Sequence, residues 1–187
     1  MEQQATTVQT SQDLVKHAIR FGAILAGIGI AITLLCYVID YTMLADWKIG
    51  ILMIVVSIGI VIYAGINYRT QVGGYLSYGK AFQHGYFTFL SAGVISTLFS
   101  ILLYTVIDPD LPQNLSDAAI VKTEEMMRNF GAPDDAIEQQ MDKMREDMPK
   151  RFSAVGLLTQ LGWGLIIYAV LSLITSLFVR KNEPMIM

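Results

Sequence analysis

The side chains best suited to chemistry are few in this chain. His17 and His84 are its two histidines and Cys36 its one cysteine, in 187 residues. A single cysteine excludes an internal disulfide and any cysteine-based metal cluster. His84 stands in Tyr78-Gly79-Lys80-Ala81-Phe82-Gln83-His84-Gly85, where an imidazole titrating near neutral pH could gate a process. The plainer expectation is an interfacial histidine bonded to a loop carbonyl or water, with His17 solvated at headgroup level. Ile137, Met141, Met144 and Met148 recur at spacings of four, three and four, one face of a helix. Such a thioether stripe can bind soft metals or adaptable peptides. With no cysteine or histidine nearby, it is expected to pack against lipid or the ends of other helices.

Catalytic templates are absent. The chain has no Gly-x-Ser-x-Gly elbow, no His-Glu-x-x-His, no phosphate loop and no dinucleotide fingerprint. The expectation is a non-enzymatic protein without catalytic, cofactor-binding or metal-binding residues. A net charge of −3 lacks the basic face that nucleic-acid binding needs.

The elements around these residues are dictated by apolarity. Hydrophobic residues make up 53% and charged residues 16%, with a mean hydropathy of +0.49. Average soluble proteins carry roughly 25% charged residues. Four stretches lack charge altogether: 21–39, 49–68, 81–107 and 152–179. Each is long enough for the hydrocarbon layer, which takes about 20 helical residues. In lipid the backbone must satisfy its own hydrogen bonds, so each should be a helix. Four buried helices of a soluble core would need polar faces that these stretches lack. The first stretch is too long for a signal core and ends without a small-x-small site. Cys36 is read as an ordinary buried helix residue. The fold class expected is an all-α membrane protein, a single domain over 1–187 with four transmembrane helices.

Within the spans the polar material is Gln160 and hydroxyls such as Thr33, Ser57, Ser91, Ser96, Thr97, Ser100, Ser172, Thr175 and Ser176. Hydroxyls bond back to their own helix, so proton-coupled pumping through the bundle is disfavoured. Gln160 is expected to bond a neighbouring helix. Small residues four apart, Gly22 with Ala26, Gly27 with Ala31, and Ala92 with Ser96 and Ser100, let helices approach closely. Gly162 and Gly164 could allow a bend in the fourth span.

Orientation follows from the basic residues near the span ends. Lys16 and Arg20, then Arg69 and Lys80, then Arg180 and Lys181 fall on one side of a four-span chain. Both termini are therefore expected in the cytoplasm. The long connection, 108–151, is acidic and expected outside. Prolines stop the third span; Ser116 can cap a helix running to Asn129 or Phe130, and Gly131 can end it. A second helix is expected from Pro133 at a first-turn position, through Asp134 and Asp135, to about Asp147, ahead of Pro149. The result is an amphipathic helical pair lying on the membrane surface or folding over the bundle.

The segment Gly73-Gly74-Tyr75-Leu76-Ser77-Tyr78-Gly79-Lys80-Ala81-Phe82 through Gly85 resembles the stretch that precedes the third of four spans in a bacterial membrane family, domain of unknown function 4199. The resemblance implies a four-helix domain in a bacterial inner membrane and no known activity, ligand or catalytic residue. The functional expectation is action through assembly, with the lipid bilayer and either a second copy or another membrane protein as partners. The alternative is an oligomeric small-solute transporter or channel subunit.

Overall fold

The structure is a computed structural model and describes residues 2–182, with side chains from Gln12 onward. It is all-α. Helix α1 covers Glu2–Asp40, followed by a 3-10 turn at Tyr41–Ala45; α2 covers Trp47–Gln71 and α3 Tyr78–Leu102. A π-helical turn, Leu103–Ile107, extends α3; α4 (Leu111–Asn129), α5 (Asp134–Phe152) and α6 (Ala154–Val179) complete the order. Among the described residues, four helical segments are long and apolar enough to cross a membrane: Gln12–Ala45, Trp47–Gln71, Tyr78–Ile107 and Ala154–Val179. These contain or closely overlap the four charge-free stretches.

Side-chain burial in α6 is inverted relative to a water-soluble helix. Gly164, Ser172, Thr175 and Ser176 are buried, while Ile166, Ile167, Ile174, Leu177 and Phe178 are exposed. Small and hydroxyl residues face the protein and branched apolar residues face away, as expected where the surroundings are lipid. The chain is a multi-pass membrane protein.

Contacts divide the chain into two compact units. One comprises Met1–Ile28, Ile54–Ile95 and Trp163–Met187; the other comprises Gly29–Met53 and Ser96–Gly162. In the first, Leu14, Tyr68, Leu76, Ala81 and Val179 form one apolar cluster, and Leu25, Ala26, Val61, Phe89 and Ala92 form another. Glycines set the helix spacing here. A Cβ on Gly22 would lie 1.9 Å from Ser91 Oγ and 2.7 Å from the Thr88 carbonyl, so α1 and α3 meet nearly backbone to backbone. On Gly65 it would lie 2.7 Å from the Val179 side chain, and on Gly93 it would lie 2.4 Å from the Tyr168 hydroxyl. By contrast, Gly27 and Gly162 are exposed and have no such neighbour within 4 Å.

The second unit holds the acidic connection. Leu103, Leu111 and Leu115 are buried among Tyr37, Leu44, Phe99, Tyr104 and Phe152, so α4 folds over the ends of α1 and α3 in this unit. Lys122 of α4 also reaches Asp46 at 3.3 Å. Ile137 and Met141 of α5 bury against Ile120 of α4, with Met127, Ala132 and Met144 beside them. The Met stripe thus packs mainly on its partner helix. Cys36 is buried and unpaired.

Three local features depart from the sequence expectation. Ser116 does not cap α4: Asp108 Oδ1 accepts the amides of Asp110 at 3.2 Å and Leu111 at 3.0 Å, so the helix opens earlier. Pro112 then sits in the first turn, where its missing N–H costs nothing, and Ser116 Oγ bonds back to the Pro112 carbonyl at 2.8 Å. Helix α5 continues through Pro149 to Phe152. Its last carbonyls gain partners: Ser153 Oγ donates to Lys150 at 2.7 Å and Gln160 Nε2 to Arg151 at 2.7 Å. Pro133 is the N-cap of α5, one place before the first turn. Gly131 ends α4 as expected, in the left-handed region at φ 74°.

Candidate functional site

The polar centre of the first unit is built from three helices. On α1, buried Leu14 and Ala18 flank His17, so its imidazole is turned inward by the same face that packs the helix. On α2, Asn67 and Gln71 are one turn apart, and Gln71 Nε2 donates to Asn67 Oδ1 at 2.7 Å. On α3, Ala81, His84, Gly85 and Thr88 form the buried face. His17 Nδ1 lies 2.9 Å from His84 Nε2, and His17 Nε2 lies 3.1 Å from Asn67 Oδ1.

Both rings are held by aromatic neighbours. Tyr68 stacks on His84 with centroids 5.2 Å apart and planes 20° apart. Phe21 stacks on His17 at 4.7 Å and 30°. His84 is fully buried and its main-chain carbonyl accepts from Thr88 Oγ1 at 2.8 Å. The partner of His84 is thus His17, not the loop carbonyl or water that the sequence leads one to expect, and His17 is half-buried rather than solvated. The imidazoles bond each other, which gives the buried His84 Nε2 a partner.

His17 Nε2 also lies 3.5 Å from Gln71 Nε2, and His84 Nδ1 is buried without a hydrogen-bond partner. The two rings form a hydrogen-bonded clasp between α1 and α3, with Asn67 and Gln71 of α2 beside it.

Beside this centre, on the far side of Tyr68, the resemblance-bearing segment makes a second feature. Gly73 and Gly74 turn the chain at φ 96° and 86°, a conformation that favours glycine. Leu76 and Lys181 then exchange both main-chain hydrogen bonds, at 2.8 and 3.0 Å. Arg69 donates to the Val179 carbonyl at 2.7 Å, tying the end of α6 to α2. A cavity of about 340 Å³ remains, lined by Tyr68, Val72, Tyr75, Leu76, Ser77, Lys80, Lys181 and Asn182.

The remaining sequence candidates do not join the polar centre. Gln160 is exposed and bonds locally, at the junction of α5 and α6. Thr175 and Ser176 hydroxyls donate to the Ser172 carbonyl of their own helix, and Ser91 Oγ to the Phe87 carbonyl at 2.8 Å. Ser172 Oγ is buried without a hydrogen-bond partner. Among the described residues, no group of three or more His, Cys, Asp or Glu side chains could hold a metal ion.

No curated protein and no solved structure matches the chain. A family profile described as protein of unknown function (DUF4199) matches residues 20–181, which include the polar centre from Arg20 onward, the glycine turn and all four spans from that residue on. By that match over most of its length, the chain belongs to the DUF4199 family of proteins of unknown function.

Proposed function

We propose that this protein is a non-enzymatic component of a bacterial inner membrane that acts by assembling with other membrane proteins or with itself. The observation that carries this reading is how the polar side chains at the spans are used. His17, Asn67, Gln71 and His84 bond one another, and the hydroxyls of Thr88, Ser91 and Thr175 bond their own helices. Glycine contacts bring α1 against α3 and α2 against α6. Such a centre is spent on holding helices together, whereas a solute path needs polar groups that face a shared opening. Gln160, the residue best suited to such a path by sequence, is exposed.

The orientation proposed is both termini in the cytoplasm. It is supported by Lys16, Arg20, Arg69, Lys80, Arg180 and Lys181 at the alternate span ends and by the acidic 108–151 connection. Crosslinking in intact membranes followed by purification in mild detergent tests the function. A homo-oligomer or a recurring stoichiometric partner is expected; a monomer without either contradicts the reading.

A further inference from the structure

We propose that the cavity between the α2–α3 connection and the chain after α6 binds a phosphate group, carried by an anionic lipid headgroup or free in solution. Its volume of about 340 Å³ is at the small end of the ligand-site range of ~300–1,000 Å³. Lys80 and Lys181 line it together with Ser77 and Asn182, and none of the described lining residues carries a carboxylate. Ammonium, hydroxyl and amide donors around one cavity are suited to phosphate oxygens.

Four cations of the second unit, Lys122, Arg128, Arg145 and Lys150, each have a carboxylate partner. Among the described residues, the ion pairs use neither Lys80 nor Lys181. Lys181 is nonetheless held in place: its backbone bridges Leu76 and its ammonium lies 5.5 Å from the centre of the Tyr75 ring. Lys80 sits in the first turn of α3, a 25-residue helix, whose N-terminal amides add positive potential.

Position in the fold points to the same ligand. Helix α2 ends at Gln71, α3 begins at Tyr78 and α6 ends at Val179, so the cavity lies at the ends of three spans. Lipid phosphates occupy that depth, and basic pockets between span ends suit anionic headgroups. Val72 and Leu76 supply an apolar wall on the same cavity, as a glycerol-linked phosphate requires.

The test uses the full chain in a zwitterionic detergent. One arm measures retention of phosphatidylglycerol against phosphatidylcholine by native mass spectrometry; the other measures inorganic phosphate binding by equilibrium dialysis. Wild type is expected to bind in at least one arm, the double variant K80Q/K181Q to bind about tenfold more weakly, and the exposed control K143Q to match wild type. Preference for phosphatidylglycerol without phosphate binding assigns the lipid, and phosphate binding without that preference assigns the free anion. Binding in both arms assigns the phosphate group itself. Binding in neither arm, or equal binding by wild type and K80Q/K181Q, overturns the proposal.

Discussion

The Nδ1 of His17 and the Nε2 of His84 face each other at 2.9 Å across 67 residues of sequence. The contact joins α1 to α3, and Asn67 of α2 bonds the other end of the His17 ring. Replacing His17 alone strands a fully buried imidazole, whereas replacing both histidines removes the need for pairing. His17→Leu is therefore expected to cost about 1–3 kcal/mol, and His17→Leu/His84→Leu less than the sum of the two single changes. Unfolding by dodecyl sulfate in mixed micelles measures this. Strictly additive costs would show that the two rings do not depend on each other.

Close helix approach makes a second prediction, and it separates two glycines in one helix. Gly22→Ala places a methyl group against Ser91 Oγ and the Thr88 carbonyl, and backbone cannot yield as a side-chain tip can. A loss of about 1–3 kcal/mol is expected. Gly27→Ala meets nothing within 4 Å and should be neutral or stabilising by up to ~1 kcal/mol. Equal effects in the same unfolding assay would place the α1–α3 contact elsewhere.

The α4–α5 pair should stand on its own apolar seam. Met141 is buried at 3% exposure between Ile120 and Ile137, so Met141→Ala is expected to cost about 2–5 kcal/mol. Phe130→Ser, at 84% exposure, should leave stability within about 0.5 kcal/mol. Limited proteolysis of the connection reads the difference: Met141→Ala should be cut faster and Phe130→Ser at the wild-type rate.

Acid should loosen the junction between α4 and the α1–α2 connection. The Lys48 amide, and Lys122 beside it, hold the Asp46 carboxyl below its ordinary 3.8. A depressed carboxylate stabilises the fold fully above pH 3.8 and loses that contribution as the pH falls through its folded value. The protection of α4 amides, measured as exchange relative to the intrinsic rate at each pH, should fall below about pH 4 in wild type. Asp46→Asn should show the lower protection already at neutral pH and a smaller further change on acidification. An identical acid response in both proteins would remove Asp46 from the account.

The spans were legible because charge is excluded from 21–39, 49–68, 81–107 and 152–179, and a bilayer reads that exclusion directly. Glycine turns were legible for a similar reason: Gly131 ends α4 where expected, since the backbone there needs a left-handed residue. The start of α4 differs from the Ser116 cap because Asp108 accepts the first amides across Pro109. Pro149 does not end α5 because so near the helix end it removes one main-chain bond, and the terminal carbonyls of Lys150 and Arg151 are taken up by Ser153 and Gln160. The histidine clasp was not legible, since nothing local joins residues 17 and 84. The one signal was the pair Asn67 and Gln71, amides one turn apart near the end of an otherwise apolar span, which need a polar partner.

Sidedness is the central claim, and cysteine labelling in intact cells tests it most directly. Ser116 is buried at 1% exposure and would resist any reagent, so the reporters belong at exposed Gln139 in α5 and Gly79 at the start of α3. In a Cys36→Ser background, the account predicts that Gln139→Cys reacts with a membrane-impermeant maleimide in intact cells. Gly79→Cys should react only after the membrane is opened. Labelling of Gly79→Cys in intact cells with protection of Gln139→Cys would contradict the orientation, and labelling of both would contradict the one span between them, Tyr78–Ile107.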